Sequence, residues 1–355
     1  MVNIKGIRAF LHDAKAVSPA IATLILIVIA AVAAAGVGIL VQSSQKNAAD
    51  QTADKDMSVM GTINIKGSST ILPITQDAAE DFTKKYPAVD IVAAAGGSGA
   101  GRQLVWQQLT DIGASSDIWP DKAIGDIPNR DNAVIQAAGS ADAKIWETQI
   151  GSGMIVVAAN LGSGVTSINV VNGTPTSATP FTGAVVINFN DLKALYENNT
   201  GALAIAGIKP VQRKDPGGTE EVFAKWIGLV GSDKQLSVTT QEENGNQGIR
   251  DYIAANPNTI GFVDIGFAEN GVNGKTGVKA ATQNGVAANT STKGINGPYN
   301  KASDDVNSAI SGGLARDLYY YSYGTPQGAV KAYLDFIVGL EGQKIVEGTG
   351  FYKIN

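Results

Sequence analysis

No cysteine occurs in the 355 residues, and histidine occurs once, at His12. Without thiols there is no disulfide framework, no zinc-thiolate or iron–sulfur site and no cysteine nucleophile. His12 lies in the first fifteen residues, which read as a removable leader. Once they are removed, any Ser–His pair or histidine-ligated metal is excluded. Basic side chains are outnumbered, 27 against 32 acidic, for a net charge of −5. That balance argues against nucleic acid as a partner, because binding a phosphate backbone starts from a basic footprint. No G-x-x-x-x-G-K-[ST] loop occurs, so the chain carries no ATPase motif of its own. Glycine, by contrast, is abundant at 42 residues, above the usual ~7%. It marks many turns, or loops that bring backbone close to a ligand. The length suits one large two-lobed fold or two domains with a sizeable core.

From Ala16 to Gln45 there is no charged residue, and Ala16–Val41 is almost wholly apolar. As a helix that stretch spans about 39 Å, enough to cross a bilayer core of ~30 Å. It is longer than the apolar run of a secretory signal. Lys5, Arg8 and Lys15 precede it, so the positive-inside tendency keeps the N-terminus in the cytoplasm and the rest outside. The junction Asp13-Ala14-Lys15-Ala16-Val17-Ser18-Pro19 resembles the class III, prepilin-type leader of archaeal pilins and archaellins. The resemblance implies a prepilin-type peptidase as a partner, with cleavage between Lys15 and Ala16. It leaves two roles for the apolar helix, a membrane anchor or the core of a filament of this chain. Gln42–Met60 is polar and reads as a stalk.

Beyond residue 60, short apolar runs alternate with helical patterns. Thr62–Ile65, Val89–Ala95, Met154–Ala159, Ala184–Phe189 and Ile260–Val263 read as strands. Pro73–Tyr86 reads as a helix, with Ile74, Ala78 and Phe82 four apart on one face. Further helices are expected at Gly101–Leu109, Asp191–Glu197, Thr219–Val230, Ile249–Ala255 and Gln327–Val338. The alternation implies an α/β fold with mainly parallel sheets. Leu161–Pro180 and Asn270–Asn300 read as exposed loops. Asn172, Asn198 and Asn289 stand in N-x-S/T sequons, which suits an external surface.

Three turns follow strands and open helices: Gly67-Ser68-Ser69-Thr70, Gly96-Gly97-Ser98-Gly99-Ala100-Gly101 and Arg213-Lys214-Asp215-Pro216-Gly217-Gly218-Thr219. A helix N-terminus presents unpaired N–H groups at the positive end of a dipole. Three converging N-termini would cradle a tetrahedral oxyanion without many basic side chains. Hydroxyls and the Arg213 fork would add donors. Each turn alone is weak, since Ser or Thr before a helix is usually an ordinary cap. The conjunction of the three carries the expectation.

The stretches KGSSTILP, AAGGSGAGRQL, TDIGASSD, RKDPGGTEEVF, GNQGIRDYIAANPNTIGFV and LARDLYYYSYGTPQGAVKAYLDFIVGLEGQKIVEGTGF occur in this order. As a set they resemble the phosphate-binding component of ABC phosphate transporters, a type II periplasmic-type binding protein. The resemblance covers residues 62–355 and implies a two-lobed fold. Lobe one would comprise 61–150 and 261–355, and lobe two 151–260, with crossovers near Gly151–Met154 and Gly261–Asp264. It also implies that Thr70 and the Ile71 amide hold anion oxygens, with Ser69 beside them, and that Ser98 donates a hydroxyl. Ser116 falls where some members have an aspartate and others a serine. Arg213, Gly218 and Thr219 match the third binding segment, and Gly217 falls where a serine is usual.

A buried carboxylate that accepts the proton of phosphate would repel sulfate, which has none to give. Asp117 is the candidate acceptor, with Asp111 and Asp215 as weaker ones; the alternative is that all three brace loops or face water. The implied activity is capture of inorganic phosphate or a similar oxyanion, without catalysis and without a cofactor. A separate permease and ATPase would be the transport partners.

Overall fold

The computed structural model describes residues 56–134, 144–214, 218–229, 241–293, 298–299 and 313–354. The expected leader, the Ala16–Val41 helix and most of the stalk lie outside them. Among the described residues no helix is long and apolar enough to cross a membrane. Residues Met57–Asn355 form one compact unit.

Lobe one opens with β1 (Gly61–Gly67), α1 (Leu72–Lys85), β2 (Val89–Ala95), α2 (Ser98–Trp106) and β3 (Ile112–Ser115). In α1 the four-residue spacing buries Ile74, Ala78 and Phe82, and Pro73 sits in the first turn, where no N–H is needed. Lys84 and Lys85 complement the dipole at its end. A short α3 (Arg130–Ala133) precedes β4 (Ile145–Asn160). Lobe two follows with β5 (Val165–Val171), β6 (Gly183–Asn188), α4 (Phe189–Asn198), α5 (Gly201–Ile205), β7 (Lys209–Arg213), α6 (Gly218–Trp226), β8 (Gln241–Glu243), α7 (Gly245–Ala255) and β9 (Thr259–Asp264). After β9 come β10 (Lys279–Ala280), β11 (Thr282–Gln283), β12 (Ala315–Tyr323), α8 (Gly328–Val338) and α9 (Leu340–Gly348).

Among the described residues the main sheet runs β2-β1-β3-β12-β4-β9-β7-β8, with β10 beside β4, and a small sheet runs β11-β5-β6. The main sheet is mixed rather than mainly parallel, whereas the small sheet is parallel throughout. The βα units give parallel pairs such as β1–β2, β1–β3, β7–β9 and β5–β6. The connecting strands β4 and β12 run antiparallel to their neighbours. β4 contains the Gly151–Met154 stretch expected at a crossover, whereas β12 was not expected as a strand.

β4 is the forward crossover. Its residues Ile145–Met154 pair with β12, and Ile155–Asn160 pair with β9. The return does not occur at Gly261–Asp264. After β9 the chain touches the C-terminal segment, where Phe267 meets Phe351 edge to face. It then adds β10 to β4 and β11 to β5 before coming back through β12. Residues 279–283 therefore pair with lobe-two strands, not lobe-one strands as expected.

Two stretches expected as exposed loops contain strands. Val165, Ile168 and Val170 of β5 are buried, and Val278 and Ala281 flank β10 in the core. β12 shows period-two burial of an unusual kind: Tyr319 and Tyr321 join a satellite core with Trp119 and Val105, while Tyr320 faces Tyr333 and α1.

Candidate anion-binding site

The first turn leaves β1 at Gly67 and enters α1; the second opens α2 at Ser98; the third leaves β7 at Arg213 and opens α6 at Gly218. The fold brings the three together. Thr70 of lobe one and Thr219 of lobe two, 149 residues apart, have their hydroxyls 2.8 Å from each other. Arg213 Nη2 donates to Ser69 Oγ at 3.2 Å, a second link across the cleft. Within lobe one, Ser68 donates to Ser116 Oγ at 3.0 Å. The Ser98 and Ser116 hydroxyls are 3.2 Å apart, and the Ser116 amide donates to Ser98 Oγ at 3.0 Å. Ser68, Thr70, Ser98, Ser116, Arg213 and Thr219 are all buried.

Gly218 fits this crowding. A β-carbon there would fall 2.3 Å from Ser116 Oγ and 3.2 Å from Ser98 Oγ. The absence of a side chain lets the N-terminus of α6 approach the serine cluster, which brings its free N–H groups and positive dipole end with it.

Of the residues singled out in the sequence, Ser69, Thr70, Ser98, Ser116, Arg213, Gly218 and Thr219 meet here. Gly217 and Asp215 lie outside the described residues. The Ile71 amide donates to Ser68 O at 3.2 Å, an internal turn contact rather than an open donor. Asp117 is also otherwise engaged: its Oδ1 accepts from the Ile118 amide at 2.9 Å, and its Oδ2 lies 3.7 Å from Arg102 Nη1. Asp111 accepts from the backbone and side-chain amides of Asn64 at 2.7 and 3.1 Å, so it braces β1.

Five contributors were not singled out in the sequence: Ser68, Arg102, Arg316, Asp264 and Asn246. Ser68 belongs to the first turn but was not separated from its neighbours. Arg102, buried on α2, donates to Ser115 Oγ at 2.9 Å and Ile118 O at 3.1 Å and so shapes the Ser116 turn. Arg316 Nη2 donates to both Thr219 Oγ1 and Asp264 Oδ2 at 2.8 Å. Asp264 Oδ2 also accepts from Asn246 Nδ2 at 2.9 Å. The signal for Arg316 was an arginine beside Asp317 inside the largely apolar and aromatic run Leu314–Tyr323, since a charge in a buried strand needs a partner.

Beside Ser69 and Thr70 opens a cavity of about 630 Å³ lined by Gln76, Asp77, Asn246 and Arg250 among others. A cavity of the same volume on another face, lined by Thr166, Glu269 and Tyr352, includes none of the clustered hydroxyls. Volume therefore does not single out the site; donor chemistry does.

Two lobes joined by crossover strands, with hydroxyls and helix N-termini facing each other across the cleft, define a periplasmic-binding-protein-like architecture. The chain belongs to the PBP superfamily, whose domain matches residues 43–341. It is 25% identical over 229 residues to the phosphate-binding protein PstS of Bacillus subtilis (strain 168), a match that spans 63% of each chain's length. The fold recurs in an ABC-type phosphate transport receptor from Vibrio cholerae, with a TM-score of 0.56 and 16% identity over 82% of this chain and 100% of that one. It recurs also in a protein from Clostridium perfringens solved with bound phosphate and assigned as a phosphate ABC transporter substrate-binding protein. There the TM-score is 0.55, with 21% identity over 83% of this chain and 100% of that one.

Proposed function

We propose that this protein captures inorganic phosphate outside the cytoplasm by closing two lobes on it and delivers it to an ABC importer. The observation that carries the reading is the meeting of Thr70 and Ser69 with Thr219 and Arg213 across the cleft. An anion enclosed there would collect hydroxyl donors, a guanidinium and helix N-termini from both lobes at once. Such donors suit a dehydrated oxyanion, because each buried donor left unmatched costs about 1–3 kcal/mol. The B. subtilis relative and the phosphate-bound C. perfringens structure support the choice of phosphate. That the B. subtilis relative is a phosphate-binding protein and the C. perfringens one a substrate-binding protein supports binding as the role. Titration calorimetry of the protein with phosphate, sulfate, molybdate and tungstate tests it: saturable phosphate binding is expected, and its absence would sink the proposal.

The finer reading concerns the N-terminus. Processing by a prepilin-type peptidase between Lys15 and Ala16 leaves the Ala16–Val41 run as a membrane anchor, with the binding unit outside. The same leader supports a second reading, in which these runs assemble into a filament that displays the binding unit. A mature chain starting at Ala16 by mass spectrometry, found in membranes rather than in sedimentable fibres, supports the anchor; fibres lost on deletion of the run support the filament.

A further inference from the structure

The anion site is not equally closed on all sides. Ser98, Ser116 and Gly218 crowd one side, where a β-carbon on Gly218 would fall 2.3 Å from Ser116 Oγ. Ser69 and Thr70 also line the neighbouring cavity of about 630 Å³. They are the hydroxyls that meet Arg213 and Thr219 across the cleft. A phosphoryl group held among these four would therefore turn one face to the cavity.

The space is larger than an anion needs. Pockets for small organic ligands run to about 300–1,000 Å³. An anion of five heavy atoms fills at most about 150 Å³, even if each atom took a water's share of ~30 Å³. The lining has a consistent chemistry. Gln76 of α1 brings a side-chain amide from lobe one. Asn244, Asn246 and Gln247, where α7 begins, bring three from lobe two, and Asn273 adds a fifth. An amide both donates and accepts, as a ligand hydroxyl does. Asp77 adds an acceptor, which favours hydroxyls over a second anionic group. Buried Phe267 offers an apolar surface to the C–H groups of a hydroxylated chain.

Asn246 ties this wall to the anion site. Its Nδ2 donates to Asp264 Oδ2 at 2.9 Å, and its Oδ1 accepts from the Asp264 amide at 3.1 Å. Asp264 in turn pairs with Arg316, which donates to Thr219. Gln76, Asn244 and Gln247 are exposed, so their amides exchange water for ligand hydroxyls at a small net gain each. The phosphoryl end would supply most of the affinity and the cavity the choice of substituent.

We propose that the site takes phosphate monoesters of polyols or sugars, with the phosphoryl end in the anion site and the hydroxylated chain in the amide-lined cavity. This rests on the phosphate reading above and extends it to the ligand class.

The test is titration calorimetry of the full chain with phosphate, glycerol 3-phosphate, ribose 5-phosphate, glycerol and ribose, the esters freed of inorganic phosphate. At about pH 6 phosphate and its monoesters both retain an exchangeable proton on a good share of molecules, so protonation does not separate them. Wild type is expected to bind both esters within tenfold of phosphate or tighter, and neither alcohol. Asn244→Trp and Gln76→Trp fill the cavity from opposite lobes. Asn244 makes no side-chain capping bond to α7, and Gln76 is exposed, so both variants are expected to melt as wild type does. Each is expected to lower the ratio of ester to phosphate affinity at least tenfold. If one variant fails to fold the other decides, and if both fail the wild-type titrations do. Phosphate bound with both esters rejected would overturn the inference and leave the phosphate reading standing. A ratio unchanged in the folded variants would overturn it too. Esters bound without phosphate would sink the phosphate reading and keep the cavity's role. A chain that binds neither phosphate nor esters would overturn both.

Discussion

Residue 218 separates binding from stability more cleanly than any other position in the cleft. An alanine there gains helix propensity, by about 1 kcal/mol over glycine in a helix interior and less in the first turn. Its methyl would stand 2.3 Å from Ser116 Oγ, so the serine must turn away or α6 must retreat. Either response opens the space in which hydroxyls and N–H groups converge. Gly218→Ala is therefore expected to hold or raise the melting temperature while phosphate affinity falls at least tenfold, about 1.4 kcal/mol. Calorimetry and thermal unfolding on the same preparation check both halves. Asp117 makes the opposite case. With one oxygen on the Ile118 amide and the other near buried Arg102, its carboxylate stabilises the turn that presents Ser116. Asp117→Asn is expected to cost about 1–3 kcal/mol of stability and to leave the phosphate-to-sulfate affinity ratio unchanged. A shifted ratio would return the carboxylate to the ligand.

At the scale of elements, what was legible depended on whether the information was local. The face Ile74, Ala78, Phe82 writes a helix into one short window, and α1 lies there within a residue or so of expectation. β2 matches at Val89–Ala95 for the same reason. β5 was hidden because its apolar residues are separated by Thr166, Ser167 and Asn169 and its pairing with β6 is irregular. β12 was hidden because Arg316 and Asp317 interrupt its apolar run, and only the opposite strand explains the arginine. The hydroxyl turns could be read locally; their meeting, Thr70 with Thr219, depends on a long-range fold. The connection after β9 offers an element-scale prediction. Glu269 accepts from the Gly277 amide at 3.2 Å and pairs with Lys279 at 3.1 Å, which fastens β10. The Gly277 hydrogen bond first, then Lys279, hold its carboxyl below the ordinary glutamate value. A depressed value means stability that is present above the unfolded-state pKa and is lost as pH falls through the folded one. The pair is partly exposed, so the contribution is at most about 1 kcal/mol. Glu269→Gln is expected to lower stability at neutral pH and to flatten the decline in denaturant midpoint below about pH 5; parallel wild-type and variant curves would refute it.

For the whole molecule, the cleft contacts and the crossover are one device. The lobes meet through Thr70–Thr219, Arg213–Ser69 and Arg316 with Thr219 and Asp264, while β4 passes between them where its partner changes. Under the proposed capture role, closure of the lobes would be a hinge equilibrium that a ligand can bias. An anion touching one lobe binds open and closed forms alike and shifts nothing; one touching Thr70, Thr219 and the arginines together binds the closed form better. Phosphate is therefore expected to reduce the radius of gyration measured by X-ray scattering, and to stabilise the folded unit by about 2.7 kcal/mol at a hundredfold excess over its dissociation constant. Thr219→Val, which removes the hydroxyl shared by Thr70 and Arg316, should weaken binding and shrink the compaction at any given phosphate concentration. Calorimetric saturation with an unchanged scattering profile would mean a rigid, preformed cleft. In that case the contacts across it would be fixed struts, and capture would owe nothing to movement of the lobes.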